Sequence, residues 1–160
     1  EPESMIKHSV NGSRIESGMT PRYYLIRTSW LFGWHGKNFV QTMLDLAKSK
    51  SEVAVVNDQH GKLTYAKDLA KATRELLEKK YASGVYHMPN EPATTWYDFA
   101  CAIFEEYAKL HPEFKKPKVS PCGSSAYPRP AKRPQYSVLL NTKFPPLRSW
   151  REALQDYLRP

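Results

Sequence analysis

Three side chains that can hydrogen-bond or stack follow directly on a short apolar segment. Thr28, Ser29 and Trp30 come after the run YYLIR at residues 23–27, which is typical of a buried strand. In a parallel sheet they would lie at the carboxyl edge, where α/β proteins bind ligands. Two hydroxyls and an indole could hydrogen-bond and stack on a sugar there. The alternative is that Trp30 fills the core while the hydroxyls cap a turn or a helix.

Other kinds of site find less support in the sequence. There is no GxGxxG or GxxxxGK[ST] motif, so the chain offers no glycine loop for the phosphates of a nucleotide cofactor. The five histidines form no HExxH motif and no pair four residues apart, which argues against a metal site. Asp58 has no acidic neighbour in the sequence, and Asp45, Asp68 and Asp98 fall in helical patterns, where capping or solvation is the commoner role.

The net charge of +8 is concentrated in one part of the sequence. Residues 114–151 contain no aspartate or glutamate. The cations of this segment are Lys115, Lys116, Lys118, Arg129, Lys132, Arg133, Lys143, Arg148 and Arg151. No helix-turn-helix and no aromatic RNA-binding strand accompanies them, so nucleic acid is not the expected partner. A small phosphate-bearing ligand explains the charge with fewer assumptions.

Length and composition are those of one globular domain. The 160 residues are 41% hydrophobic, and no apolar run approaches the roughly 18 residues that a membrane span needs. The beginning of the chain has no apolar signal segment, and Cys101 and Cys122 suit neither a disulfide framework nor a metal site, so we expect a cytoplasmic protein. We expect a linker or disordered arm at residues 1–22 and a single domain at residues 23–160.

Strand and helix patterns alternate along that domain. The segments YYLIR, VAVVND, GVYHM and SVLL are predicted as strands, and the spacing in KNFVQTMLDLAKSK predicts the first helix. Three further helices are expected to begin at Thr64, at Thr95 with Asp98, and at Ser149 with Glu152. Helical crossovers between strands indicate an α/β fold with parallel pairing. The apolar positions of the helix after Thr64 are predicted to be Ala66, Leu69, Ala70, Thr73, Leu76 and Leu77.

Seven motifs occur in the order and spacing of one enzyme family. They are RTSWLFG, GKNFVQTML, VVNDQHGKLTYAKDLA, GVYHM, TTWYDFACAIFE, AKRPQYSVL and SWREALQDYL. From about Tyr23 to Leu158 the chain therefore resembles the C-terminal half of the dTDP-4-dehydrorhamnose reductases. These enzymes are extended short-chain dehydrogenase/reductases of dTDP-L-rhamnose synthesis.

The resemblance implies a fold and a function. The fold would be the Rossmann-like C-terminal part of such an enzyme, with a small, mostly parallel sheet and flanking helices. The function would be binding of a dTDP-linked deoxysugar. NADPH and the catalytic Tyr-x-x-x-Lys would belong to an N-terminal Rossmann half, so this chain would hold no cofactor or catalytic residue and would be inactive alone. That half, or a second copy of the chain, is the expected protein partner.

The resemblance also implies which residues line the substrate site. They are Thr28, Ser29, Trp30, Asn38, Phe39, Asn57, Asp58, Gln59, Lys132 and Arg133. The first three would border the deoxysugar and the nicotinamide, and the next two would open a helix beneath the nucleotide. The three that follow would lie at the dTDP end. Arg133, helped by Lys132, would hold the pyrophosphate through charge-assisted hydrogen bonds; the alternative is that Arg133 is a solvated loop charge.

Some positions depart from the family pattern. Leu63 stands where the family usually has proline, and Leu140 where it often has aspartate. The segment SVNGSRIESG can be aligned with the catalytic motif only if Val10 replaces its tyrosine and Arg14 its lysine, and valine cannot donate a proton. A non-catalytic interaction or regulatory module on a degenerate reductase scaffold is therefore the alternative function.

Overall fold

The computed structural model describes residues 22–159, and the predicted arm at residues 1–22 lies outside this range except for Arg22. Val10 and Arg14 also lie outside it. Within the described residues the chain alternates short strands and helices, as predicted. The strands are β1 Tyr24–Arg27, β2 Leu31–Phe32, β3 Glu52–Val56, β4 His60–Gly61, β5 Thr64–Tyr65, β6 Gly84–His87, β7 Thr94–Thr95 and β8 Lys118–Cys122. The helices are α1 Phe39–Ala47, α2 Ala66–Glu78, α3 Trp96–Leu110 and α4 Trp150–Leu158.

The strands associate in pairs. β1 pairs with β6, β2 with β5 and β3 with β8, all in parallel, while β4 and β7 are antiparallel. The α/β class and the dominance of parallel pairing are thus confirmed. In place of one small sheet, however, residues 22–159 form four two-stranded sheets.

Side-chain caps explain where three of the helices begin. The Asn38 carboxamide oxygen accepts a hydrogen bond from the Gln41 N–H at 3.1 Å and starts α1. The Thr95 hydroxyl accepts from the Asp98 N–H at 3.0 Å and starts α3. Ser149 and Glu152 form the capping box predicted for α4.

The predicted cap at Thr64 is wrong. Tyr65 precedes α2 without a side-chain cap, and Thr64 is a fully buried residue of β5. The Thr64 hydroxyl donates to the Ser29 carbonyl at 2.8 Å, because β5 brings it against the chain that leaves β1. It ties two segments together and is not free to cap the helix.

The strand predicted for SVLL, residues 137–140, is also wrong. This segment is irregular, and it contacts β4 through the Ser137 N–H, which donates to the His60 carbonyl at 2.9 Å next to a bridge between His60 and Tyr136. The strand that pairs with β3 is instead β8, whose sequence KVSPC contains Pro121. Proline argues against a central strand because it lacks an N–H, but β8 has one strand partner, so its other edge can accept it.

Two apolar clusters form the core. The larger lies among α1, α3, α4 and the β2–β5 and β3–β8 pairs, with Phe32, Val40, Phe99 and Leu154 fully buried. The smaller packs α2 against the β1–β6 pair. Among residues 22–159, no helix is long and apolar enough to cross a bilayer. Nor is any group of three or more histidine, cysteine or acidic side chains there arranged to hold a metal ion.

A polar network joins the region between the clusters. The fully buried Asn90 donates to the Asp68 carboxylate at 2.8 Å and accepts from the Tyr65 N–H at 2.8 Å. Arg148 donates to the same Asp68 carboxylate at 2.8 Å and to Asp156 at 2.7 Å. The network thus fixes the first turn of α2 against α4 and the segment before it.

The apolar face predicted for α2 is only partly in the core. Leu76 is fully buried, whereas the Leu77 side chain is 56% exposed. Five of the six predicted positions line an open groove of about 590 Å³ together with the exposed Leu31 of β2. We call this surface the α2 groove, and it is lined by Leu31, Ala66, Leu69, Ala70, Thr73, Arg74, Leu77 and Glu78.

Candidate functional site

A cavity of about 800 Å³ lies between the end of β3 and the proline-rich segment after β8. We call it the basic cavity. Its lining residues are Asp58, Gln59, Ser124, Ser125, Tyr127, Arg129, Ala131, Lys132, Arg133, Pro134 and Gln135. Its volume falls within the range typical of small-molecule sites.

Three cations line this cavity, and none of them is neutralised by a carboxylate of residues 22–159. Arg129, Lys132 and Arg133 are all exposed and form no ion pair within that range. The carboxylate of the cavity wall, Asp58, is engaged by Ser124. The cavity therefore presents an excess of positive charge to an anion.

Asp58 and Gln59 hold the far wall of the cavity in place. The Asp58 carboxylate accepts from the Ser124 hydroxyl at 2.6 Å and from the Ser124 N–H at 2.9 Å. The Gln59 amide donates to the Ser124 hydroxyl oxygen at 2.8 Å. The hydrogen bonds from the Ser124 hydroxyl and backbone hold the pKa of Asp58 below its ordinary value, so the carboxylate is ionised at neutral pH.

Trp30 lies in a separate aromatic group. Its ring stacks on Trp96 with centroids 4.0 Å apart, and Phe39 packs on the same Trp96 at 4.6 Å. Gly61 lies against the Trp30 ring so closely that a Cβ there would be 2.6 Å from a ring carbon. Trp30 itself has a φ of 46°, which is uncommon for a residue with a side chain. The half-buried indole is thus held in one orientation at the end of β1.

The hydroxyls beside Trp30 bind the protein itself. Ser29 donates to the Lys62 carbonyl at 2.6 Å, and Thr28 donates to the Thr64 hydroxyl. These bonds fix the chain leaving β1 to the segment between β4 and β5. The structure thus gives both hydroxyls intramolecular partners, but these partners lie in the segment from Lys62 to Thr64 and are not the helix or turn caps of the alternative interpretation.

Asn38 and Phe39 have structural contacts as well. The Asn38 amide nitrogen donates to the Gly33 carbonyl at 2.8 Å while its oxygen caps α1. Phe39 stacks on Phe99 in addition to its contact with Trp96. Asn57 is exposed at the end of β3, and its N–H donates to the Cys122 carbonyl at 3.0 Å.

Comparison with known protein families shows to which family the chain belongs. A family model described as the RmlD substrate binding domain matches residues 10–160. The chain belongs to this family.

Relatives of this RmlD-type domain include reductases of about twice its length. The dTDP-4-dehydrorhamnose reductase of Aggregatibacter actinomycetemcomitans is 38% identical over 162 aligned residues, covering 94% of this chain and 54% of that protein. The Escherichia coli K12 dTDP-4-dehydrorhamnose reductase is 42% identical over 127 residues, covering 77% of this chain and 42% of that protein. The chain thus spans about half the length of the relatives it matches.

Solved structures agree with the RmlD assignment. The Bacillus anthracis dTDP-4-dehydrorhamnose reductase, determined in complex with NADP, superposes with a TM-score of 0.76 at 35% identity, covering 86% of this chain and 48% of that one. A Clostridium acetobutylicum dTDP-4-dehydrorhamnose reductase gives 0.75 at 40% identity, covering 85% and 48%. The fold is that of the C-terminal part of a Rossmann-like extended reductase.

The structure brings together only part of the site predicted for this RmlD domain. Asp58, Gln59, Lys132 and Arg133 line the basic cavity. The predicted residues that do not line it are Thr28, Ser29, Trp30, Asn38, Phe39 and Asn57. The two groups are linked through β4, where Gly61 lies against the Trp30 ring and the His60 N–H donates to the Gln135 carbonyl at 2.7 Å.

Several cavity residues were not singled out from the sequence as site residues. Arg129 belongs to the acid-free basic segment, so its charge was a usable signal. Ser124, Ser125 and Tyr127 carry no such signal, because their position depends on the pairing of β8 with β3. That strand was missing from the sequence prediction, and the turn after it was therefore not placed beside Asp58.

The two family departures have different surroundings. Leu63 is fully buried in the larger cluster, and its carbonyl accepts from the Asn90 N–H at 2.8 Å. Leucine at this position thus fills the core. Leu140 is 66% exposed, and nothing in the structure explains the choice of leucine there.

Proposed function

We propose that this chain is the sugar-nucleotide-binding part of an NADPH-dependent dTDP-4-dehydrorhamnose reductase and that it binds a dTDP-linked deoxysugar. The observation that carries the proposal is the set of three cations in the basic cavity with no carboxylate partner among the described residues. Family membership supplies the ligand class. The names of the relatives supply the reaction of the complete enzyme.

The diphosphate is the part of such a ligand that suits the basic cavity. Its oxygens can accept several hydrogen bonds at once, and the planar guanidinium of Arg133 can donate two of them in parallel. Lys132 adds a second charge at the next position. Asp58 and Gln59 support this end by holding the Ser124 turn against it.

The deoxysugar is expected towards Trp30. Thr28 and Ser29 would serve this end by fixing the strand exit that carries the indole, since their hydroxyls already have partners in the protein. Trp30 can then offer a pre-oriented apolar surface to the sugar ring. Asn38 and Phe39 would open α1 beneath the nucleotide, and Asn57 would lie with Asp58 at the dTDP end.

NADPH is assigned to the half of the enzyme that this chain does not include. The sequence has no glycine-rich phosphate motif, so the residues present do not fit a dinucleotide. Reduction of the ketosugar then requires a cofactor and a proton donor from elsewhere. The chain by itself should bind its ligand without turning it over.

The α2 groove is the surface proposed to meet that other half. Leu31 and Leu77 are both more than half exposed on it, and the chain covers only 48% of the B. anthracis enzyme. A buried position in the complete enzyme would account for this apolar surface. Self-association of the chain through the same groove is the alternative, and a concentration-dependent mass in light scattering would favour it.

The binding proposal is tested by calorimetric titration of the chain with dTDP. The parent should bind, and Arg133→Ala should weaken binding by about 1.5 to 3 kcal/mol, as expected for a hydrogen bond to a charged group. Arg74→Ala is the matched control, because it removes the same charge from α2, away from the cavity. Equal affinities for the parent and Arg133→Ala would contradict the pyrophosphate role.

Catalytic competence needs its own measurement. NADPH oxidation with dTDP-4-dehydro-L-rhamnose should be absent for the 160-residue chain. Steady NADPH oxidation by this chain alone would show that the reaction does not require the other half of the enzyme. If dTDP and dTDP-sugars fail to bind while a stable protein partner is recovered, the non-catalytic interaction module becomes the better description.

A further inference from the structure

The ring of Tyr127 is an exposed aromatic surface in the wall of the basic cavity. Its side chain is 50% exposed and lines the same cavity as the three cations. Among residues 22–159, no aromatic ring or cation stacks on Tyr127.

This ring is also held in place at both of its ends. The Tyr127 hydroxyl donates to the Ala54 carbonyl of β3 at 3.0 Å. Its backbone N–H donates to the Ser124 carbonyl at 3.1 Å, and Ser124 is bound in turn by Asp58. A ring fixed in this way loses little conformational freedom when a ligand covers it.

The neighbourhood of the ring determines which ligand would suit it. Arg129 follows Tyr127 by two residues, and Lys132 and Arg133 complete the positive wall. A ligand with a flat uncharged ring at one end and a diphosphate next to it matches both surfaces at once. A nucleoside diphosphate has this construction, and a cavity of about 800 Å³ can accommodate one.

Given the function proposed above, we infer that the ring of Tyr127 carries the nucleobase of the bound nucleoside diphosphate by stacking. Stacking of a base on an aromatic side chain tolerates different bases, because every base has a flat π-face. Tyr127 would thus contribute to the affinity for nucleoside diphosphates whatever their base. The competing explanation is that Tyr127 is only a strut that holds the loop through its bond to Ala54.

The experiment compares two substitutions and two probes by calorimetry on the 160-residue chain. Tyr127→Leu removes the flat ring, whereas Tyr127→Phe keeps the ring and removes the bond to Ala54. The probes are dTDP, which has a base, and inorganic pyrophosphate, which has none. We expect Tyr127→Leu to weaken dTDP binding about tenfold, the size typical of one stacked base, and to leave pyrophosphate binding unchanged. Tyr127→Phe keeps the ring, so it should bind pyrophosphate as the parent does and weaken dTDP binding much less than Tyr127→Leu does.

A spectroscopic measurement separates stacking from a structural role. The thymine methyl and H6 proton resonances of dTDP should move upfield on binding to the parent and to Tyr127→Phe, because they would lie over the ring. They should not do so with Tyr127→Leu. A mere strut would not produce this difference.

Three results would contradict the stacking role of Tyr127, and they differ in what they imply for the proposed function. If Tyr127→Leu binds dTDP as tightly as the parent, the stacking role is wrong while the proposed function stands. If both variants weaken dTDP and pyrophosphate alike, Tyr127 is a strut and the stacking role is again wrong. If the parent binds neither probe, the proposed function fails and the role of Tyr127 fails with it.

Discussion

Asp58 and Ser124 are separated by 66 positions in the sequence and are joined by two hydrogen bonds, one from the Ser124 hydroxyl and one from its N–H. The pair connects the end of β3 to the turn that follows β8. Because Tyr127 and the three cations come after this turn, the geometry of the basic cavity depends on a contact between two residues that are far apart in the sequence.

We therefore predict that Asp58→Ala weakens dTDP binding even though it removes a negative charge from a cavity for anions. Loss of both hydrogen bonds frees the Ser124 turn, so the Ser124 amide should also exchange with solvent faster than in the parent. Calorimetry and hydrogen exchange measure the two effects.

The conservative substitution distinguishes position from charge. Asp58→Asn removes the charge but keeps an oxygen that can accept from the Ser124 N–H. It should bind dTDP at least as well as the parent does. Tighter binding by Asp58→Ala would mean that the carboxylate acts through its charge and that its contact with Ser124 is immaterial.

Sequence patterns predicted the parts of this fold that depend on local interactions. The capping residues of α3 and α4 and the strands at β1, β3 and β6 were found because their signals lie within a few neighbouring residues. β8 was missed because Pro121 argues against a strand unless one knows that only one edge is paired. Thr64 was assigned to a helix cap because its tertiary partner, Ser29, is 35 positions away.

In the candidate site, too, the features that depend on local sequence were predicted and those that depend on tertiary contacts were not. The charges of Lys132 and Arg133 are visible in the sequence, and the structure places both in the basic cavity. The hydroxyls of Thr28 and Ser29 are equally visible, but their intramolecular partners are set by the approach of β4 and β5. The sequence shows which side chains can form hydrogen bonds. It does not show which of them already have a partner within the folded protein.

Gly61→Ala is expected to displace the Trp30 ring. The added Cβ would lie 2.6 Å from a ring carbon, so the indole or the backbone at residue 61 must shift, and the stack of Trp30 on Trp96 is disturbed. Overpacking of this kind costs about 1 to 3 kcal/mol. Chemical denaturation followed by tryptophan fluorescence measures both the loss of stability and the changed environment of the indole.

Gly123→Ala provides the control for this substitution. Its added Cβ would have its nearest neighbour at an ordinary 3.5 Å, and its backbone does not require glycine. It should leave stability and fluorescence close to those of the parent. If Gly61→Ala and Gly123→Ala change stability and fluorescence equally, the close contact between Gly61 and Trp30 is not the cause of the effect.

Arg148→Ala is expected to destabilise the domain by about 2 kcal/mol, because it leaves the buried Asp68 carboxylate with one hydrogen-bond partner fewer. Arg74→Ala is the matched control, since its pair with Glu78 is exposed on α2 and should contribute only about 0.3 kcal/mol. Urea denaturation measures both. A loss for Arg148→Ala no larger than that for Arg74→Ala would show that the Asp68 network does not stabilise the fold.

The same network predicts how stability depends on pH. Hydrogen bonds from Arg148 and then from Lys67 hold the pKa of Asp156 below its ordinary value of 3.8. Ionisation of Asp156 is thus easier in the folded state than in the unfolded chain. Its contribution is fully present above pH 3.8 and is lost as the pH falls through the lower pKa of the folded state.

Asp156→Asn tests this dependence. The variant should be less stable than the parent at about pH 6, because it cannot offer a charged acceptor to Arg148 or Lys67. The difference in unfolding free energy between parent and variant should shrink as the pH is lowered below 3.8, where the parent's carboxylate begins to be protonated. Thermal unfolding across this pH range measures it. A difference that stays constant down to about pH 2 would mean that the contribution of Asp156 does not depend on its charge.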